Sequence, residues 1–111
     1  MNNQKNIVLC GVGGQGTVLA SKLLAAAAMS KDIPVMSAET IGMAQRGGSV
    51  FSHLRMGNDL YSPMIETGTA DLIIGFEPGE TVRMLPYLKT GGHVVVSTRA
   101  VKPVTATPVS Y

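Results

Sequence analysis

The residues with the clearest chemical potential are the glycines of Gly11-Val12-Gly13-Gly14-Gln15-Gly16, which satisfy the pattern G-x-G-x-x-G. They follow the apolar run Ile7 to Cys10 and precede a helical pattern. In that order a turn presents backbone N–H groups, backed by the helix dipole, to an anion such as a phosphate. On this reading Gly11 permits the tight turn, Gly13 admits a ligand or backbone, and Gly16 lets the helix pack closely on the sheet. Without a ligand the same residues make a compact first turn, or one filled by a partner chain. Dinucleotide binding further asks for an acid ending the second strand, roughly 20 residues on. Glu39 stands near that separation, and the alternative for it is a loop carboxylate paired with Arg46.

A second candidate is Gln45-Arg46-Gly47-Gly48-Ser49. The planar guanidinium of Arg46, set beside glycines, suits a carboxylate, a phosphate or a neighbouring chain, or else it is a solvated surface group. His53 and His93 have no metal-ligand spacing to each other or to Cys10, so structural roles are expected for all three. No Ser/His/Asp or Cys/His set is apparent. An iron–sulfur cluster takes four cysteines and the chain has one. The Gly-Asp-Gly signature and paired acids that anchor thiamine diphosphate and its Mg²⁺ are also missing from the sequence.

The elements that must position these residues alternate along the chain. Ile7 to Cys10 reads as a buried strand, Gly14 to Met29 as a helix with Leu19, Leu23 and Ala27 on one stripe, and Ile33 to Ala38 as a second strand. Glu39 to Ser49 reads as a loop, and the period of two over Val50 to Met56 as a strand. Gly57-Asn58-Asp59 is a turn signal, with Leu60-Tyr61-Ser62 a candidate returning arm. Asp71 to Phe76 is a further buried strand. Glu77-Pro78-Gly79-Glu80 opens a helix carrying Val82, Leu85 and Leu88, which Gly91-Gly92 stops, and Val94 to Val96 is a last core strand. Such alternation predicts an α/β, Rossmann-like domain: a mostly parallel sheet with helices on both faces. Val101 to Tyr111, with Pro103 and Pro108, shows no clear element.

Composition bounds the rest. With 111 residues, 45% hydrophobic and 14% charged, the chain suits one folded domain and not a disordered segment. A net charge of +2, with no basic run and no aromatic interleaving, leaves no nucleic-acid footprint. No stretch approaches the roughly 18 apolar residues of a membrane span, and the polar start is unlike a signal peptide, so the expected compartment is the cytoplasm.

Three blocks of the sequence carry a resemblance to a known family. Asn6 to Gly16, Ala38 to Val50 (with Glu-Thr-Ile-Gly-Met-Ala-Gln-Arg-Gly-Gly at its centre) and Ala70 to Pro78, followed by the strand into Thr98-Arg99, resemble the gamma-type domain of 2-oxoacid:ferredoxin oxidoreductases. Within that family the likeness is to the small subunits of the indolepyruvate enzymes. The resemblance implies oxidative decarboxylation of an arylpyruvate with coenzyme A and ferredoxin. Thiamine diphosphate, Mg²⁺ and [4Fe-4S] clusters are then carried by a large alpha subunit. It further implies that residues 1–111 form one such domain lacking a C-terminal part, since the family's small subunits run longer. Gly11, Gly13, Gly14, Gln15 and Gly16 would be the cofactor-facing turn, and Glu39, Gln45, Arg46, Gly47 and Gly48 a partner or cleft loop. A stand-alone NAD(P)-binding domain and a non-enzymatic interaction module are the competing readings.

Overall fold

A computed structural model describes residues 4–12, 15–41 and 49–97. Its centre is strand β1 (Lys5–Val12), where Val8, Leu9 and Cys10 are all but sealed from solvent. Around it lies one sheet in the order β2 (Val35–Ile41), β3 (Ser49–Met56), β1, β4 (Ala70–Gly75), β5 (Leu88–Val96). Two helices join it, α1 (Gln15–Ser30) and α2 (Pro78–Met84), the latter followed by a 3₁₀ turn at Leu85–Tyr87.

The sheet is mixed, not mostly parallel. β4 runs parallel to β1 and β5 parallel to β4, but β3 is antiparallel to both β1 and β2. The cause is the connection between β2 and β3, which spans only residues 42–48. A parallel crossover needs a dozen residues or more, whereas an antiparallel return needs few. β3 therefore returns antiparallel to β2, and in the sheet it lies between β2 and β1. β2 also runs further than the sequence suggested, taking in Glu39 to Ile41. Leu60-Tyr61-Ser62 forms no strand, and residues 57–69 are irregular.

Side chains of opposite parity on the strands enter two separate clusters, as the pleat requires. Ile7, Leu9 and Leu54 pack with Ala20, Leu24 and Ala25 of α1. Val8, Cys10 and Ile73 pack with Met84 of α2 and with Ile65. The stripe of α1 that meets the sheet is not the one its leucines suggested. Leu19 and Leu23 are 58% and 62% exposed, while Thr17, Ser21 and Ala28 are buried. Apolar residues occur on most sides of this helix, so periodicity could not choose among them. Small side chains won because they let the helix axis approach the strands.

In α2 the buried residues are Thr81 and Met84, not Val82 and Leu85. Thr81 sits so close to Gly75 that a Cβ there would overlap its hydroxyl and lie 2.8 Å from its Cβ. Pro86 lies inside the 3₁₀ turn, and Leu88 already belongs to β5. Gly91 and Gly92 do not end a helix. They form an irregularity inside β5, with Gly91 at φ 83° and the register against β4 shifting between Ala70 and Leu72. Val94, Val95 and Val96 are surface residues on an edge strand, Val95 at 60% exposure. No described helix is long and apolar enough to cross a membrane.

His53 on β3 is 1% exposed, between the rings of Phe51 and Tyr87 at 5.9 and 5.7 Å. Its Nδ1 accepts a hydrogen bond from the Ile65 N–H at 2.9 Å, so the neutral ring carries its proton on Nε2. Burial holds its pKa below the ordinary histidine value.

Two predictions follow from this packing. Gly75→Ala should destabilise the purified chain by about 2 kcal/mol or more, because Thr81 must shift with α2; a denaturation midpoint equal to that of the wild type would show the contact to be slack. The unfolded chain protonates His53 near the ordinary histidine value and the folded chain only at lower pH. Stability should thus be complete above that value and fall as the pH drops below it, until the folded ring is protonated too. Melting temperatures measured from pH 8 to pH 5 should show this slope, and His53→Leu should flatten it.

Candidate functional site

The carboxyl ends of β1 and β4 lie side by side, with Cys10 opposite Gly75 in register. Each strand feeds a helix from that end: β1 leads through residues 13–14 into α1, and β4 through Phe76 and Glu77 into α2. The Phe76 N–H donates to the Cys10 carbonyl at 2.8 Å, which ties the two exits together. In open α/β sheets, ligands sit outside strand ends of this kind.

The two helix starts differ chemically. The α2 start is occupied by its own chain: Glu77 is buried, and its Oε1 accepts from the Glu80 N–H at 2.8 Å. Gly79 stands beside that carboxylate, where a Cβ would come within 3.0 Å of Oε1. The Thr81 hydroxyl donates back to the Glu77 carbonyl at 2.8 Å. The α1 start has no acidic residue in its first turn. Its leading amides therefore have no carboxylate of that turn to cap them.

Among the glycines of the motif, the structure reverses two assigned roles. Gly11 lies within β1, paired with Val50, and is not the residue that turns. A Cβ on it would stand 2.7 Å from Thr17 Oγ1 and 3.3 Å from Phe76 Cβ, so Gly11 supplies the close helix-to-sheet approach expected of Gly16. A Cβ on Gly16 would meet nothing within 4 Å. Gln15 is the first residue of α1. Gly13 and Gly14 lie outside the described residues, as do Gln45, Arg46, Gly47 and Gly48.

Glu39 is exposed and sits inside β2, opposite Ser52. Because β3 separates β2 from β1, Glu39 is two strand spacings, about 10 Å, from the strand that carries the glycines. In a dinucleotide fold the acid-bearing strand is the immediate neighbour. The structure thus does not bring Glu39 and the glycine turn together.

Cys10 is buried. Burial raises its thiol pKa, only partly offset by the Thr81 hydroxyl 3.9 Å from its sulfur. A thiol held protonated in this way is a poor nucleophile and a poor ligand. His93 stands on β5, apart from His53. Among the described residues no three His, Cys, Asp or Glu side chains converge as metal ligands would. Thr17, Phe76, Glu77 and Thr81 build this end of the sheet; the sequence marked Glu77 as the opening of a helix, but none of the four as a site residue. The available signal was a glycine ending each of two apolar strands, with a threonine the same distance beyond it.

Comparison with known proteins agrees with this architecture. The family model of pyruvate ferredoxin/flavodoxin oxidoreductase matches residues 6–110. The chain is 46% identical over 99 residues to the indolepyruvate oxidoreductase subunit IorB of Pyrococcus horikoshii, covering 89% of this chain and 49% of that protein. It is 45% identical over 98 residues to the IorB subunit of Methanothermobacter thermautotrophicus, covering 88% and 50%. It thus spans about half the length of these curated relatives. In fold it is similar to the gamma subunit of a keto/oxoacid ferredoxin oxidoreductase from Geobacter sulfurreducens, with a TM-score of 0.63 at 23% identity over 91% of this chain and 57% of that one. A 2-oxoglutarate:ferredoxin oxidoreductase from Magnetococcus marinus aligns with a TM-score of 0.75 at 20% identity, over 97% of this chain and 19% of that chain. The chain belongs to the pyruvate ferredoxin/flavodoxin oxidoreductase family.

Proposed function

We propose that the chain acts as the small, gamma-type subunit of a cytoplasmic 2-oxoacid:ferredoxin oxidoreductase whose substrates are indolepyruvate and other arylpyruvates. The reaction takes a 2-oxoacid, coenzyme A and two oxidised ferredoxins to an acyl-CoA, CO₂, a proton and two reduced ferredoxins. The similarity to IorB subunits supports the arylpyruvate substrate.

The residues of this chain do not fit the redox and decarboxylation cofactors that such a reaction uses. Its one cysteine is buried and held protonated, and among the described residues no three His, Cys, Asp or Glu side chains converge as metal ligands would. Thiamine diphosphate, Mg²⁺ and [4Fe-4S] clusters are therefore assigned to a larger partner subunit. No chemical step is assigned to a side chain of this one.

The contribution of the chain is shape and charge at the β1/β4 crevice. Strand residues of opposite parity pack with α1 and with α2, which supports a Rossmann-like arrangement with one helix on each face. Adjacent parallel strands whose helices leave toward opposite faces make a switch point, the usual place for a ligand. There the glycine turn, Gly11 to Gly16, offers the open α1 start to an anionic group, for which the diphosphate of coenzyme A is the fitting cosubstrate. Glu39 and the segment Gln45-Arg46-Gly47-Gly48 are assigned to a partner or cleft loop. The observation that carries this reading is the difference between the two helix starts, α2 capped by its own Glu77 and α1 without an acid in its first turn. The strand order disfavours the NAD(P) reading, since it moves Glu39 away from the glycines.

The test is coexpression with a large subunit bearing cysteine clusters. The purified small chain should show no turnover. The complex should reduce ferredoxin only when indolepyruvate and coenzyme A are both present, and full activity of the large subunit alone would overturn the proposal. Gly16→Leu, which projects into open space, should leave folding and assembly intact and raise the KM for coenzyme A by about tenfold. An unchanged KM would remove the turn from the site.

A further inference from the structure

The connection between β3 and β4, residues 57–69, is irregular but tied down along its length. Gln4 Nε2 donates to the carbonyls of Asn58 and Asp59 at 2.7 and 3.1 Å. Arg55 Nη1 donates to the Ser62 carbonyl at 2.9 Å, and the Met64 N–H to the Ser62 hydroxyl at 3.1 Å. The Ile65 N–H is held by His53, and the Gly68 N–H by the Pro86 carbonyl at 3.0 Å. The loop buries Ile65 in the core. It nevertheless holds Tyr61 89% exposed and Met64 47% exposed.

Beneath these two side chains lies a cavity of about 840 Å³ whose wall includes Asn6, Arg55, Asp71 and Lys89. It opens at the amino ends of β1 and β4, the far end of the sheet from the glycine turn. Asp71 is already satisfied: Lys89 pairs with it and the Asn6 N–H donates to it at 2.8 Å. Against the cost of burial, these two bonds and the charges of Lys89 and Lys5 hold its carboxyl below the usual range.

Among the described residues Arg55 makes no ion pair. Nε donates to Asn6 Oδ1 at 3.0 Å, Nη1 to the Ser62 carbonyl at 2.9 Å and Nη2 to Gln4 Oε1 at 3.3 Å, all neutral acceptors. The ion pairs among the described residues are Arg83–Glu80 and Lys89–Asp71, and Arg55 is in neither. A guanidinium has five N–H groups, so two remain for a further acceptor. A part-buried cation with spare donors favours a carboxylate, since charge-assisted bonds are the strong ones. Tyrosine and arginine are also the side chains on which interfaces most often depend.

We propose that the cavity under loop 57–69 docks a segment of the larger partner subunit that presents one carboxylate to Arg55 and apolar surface to Tyr61 and Met64. Asp59 and Glu66 are exposed at the same cavity, so the segment that fits carries a basic residue near its carboxylate. This inference rests on the small-subunit reading above.

The experiment measures the affinity of the full chain for the large subunit, by titration calorimetry on separately purified chains. Tyr61→Ala and Arg55→Gln should each weaken assembly by about tenfold or more. The wild-type complex should weaken with added salt more steeply than the Arg55→Gln complex. Tyr61 is almost wholly solvated, so Tyr61→Ala should keep the wild-type melting temperature and report docking alone. Wild-type affinity in the Tyr61→Ala chain would overturn the docking site while leaving the subunit assignment standing. Failure of the wild-type chain to assemble would remove the assignment and this inference with it.

Discussion

The close approach of two helix threonines to two strand-ending glycines is the contact on which the rest of this molecule depends. β1 and β4, the two innermost parallel neighbours, each reach a glycine at the carboxyl end, Gly11 and Gly75. The Thr17 hydroxyl stands at the first and the Thr81 side chain at the second, where a methyl group would have to be. Interiors are packed without spare volume, so these two positions set how near α1 and α2 can lie to the sheet. They also set where each helix begins relative to the strand ends. The crevice at that end is the space left over once both contacts are made.

The same economy explains how the polar groups there are used. Thr81 turns its hydroxyl back to the Glu77 carbonyl, and Glu77 turns its carboxylate onto the α2 amides. A buried carboxylate is tolerated when charge-assisted bonds satisfy it. The chain has thus neutralised one helix start with its own side chain and put no acid into the first turn of the other.

Other features look outward. Parallel strands are ordinarily covered on both faces, yet β5 exposes three valines in a row, and α1 turns Leu19 and Leu23 to solvent. An edge strand of this composition is a ready template for pairing with another chain. Together with the pinned Tyr61 loop, these surfaces distribute apolar area over several sides of a small body. A chain built in this way gains stability from whatever covers them, which accords with membership of a family of multi-chain enzymes.

The alternation of apolar runs with turn and helix signals determined the class of fold and the place of every strand except its ends. The glycines after Cys10 marked the passage from the first strand to the first helix. Helix stop, hairpin arm and buried stripe were misread where local pattern was ambiguous: Gly91-Gly92 makes a bulge as readily as a stop, and α1 has apolar residues on most sides. Strand order was beyond local pattern altogether. The shortness of the 42–48 connection makes β3 antiparallel to β2, but only the assembled sheet puts β3 beside β1 and carries Glu39 away from the glycines. The division of labour between Gly11 and Gly16 was likewise decided only in three dimensions. Whether a missing Cβ is filled by a neighbour depends on which helix residue faces it, and no spacing along one chain contains that distance.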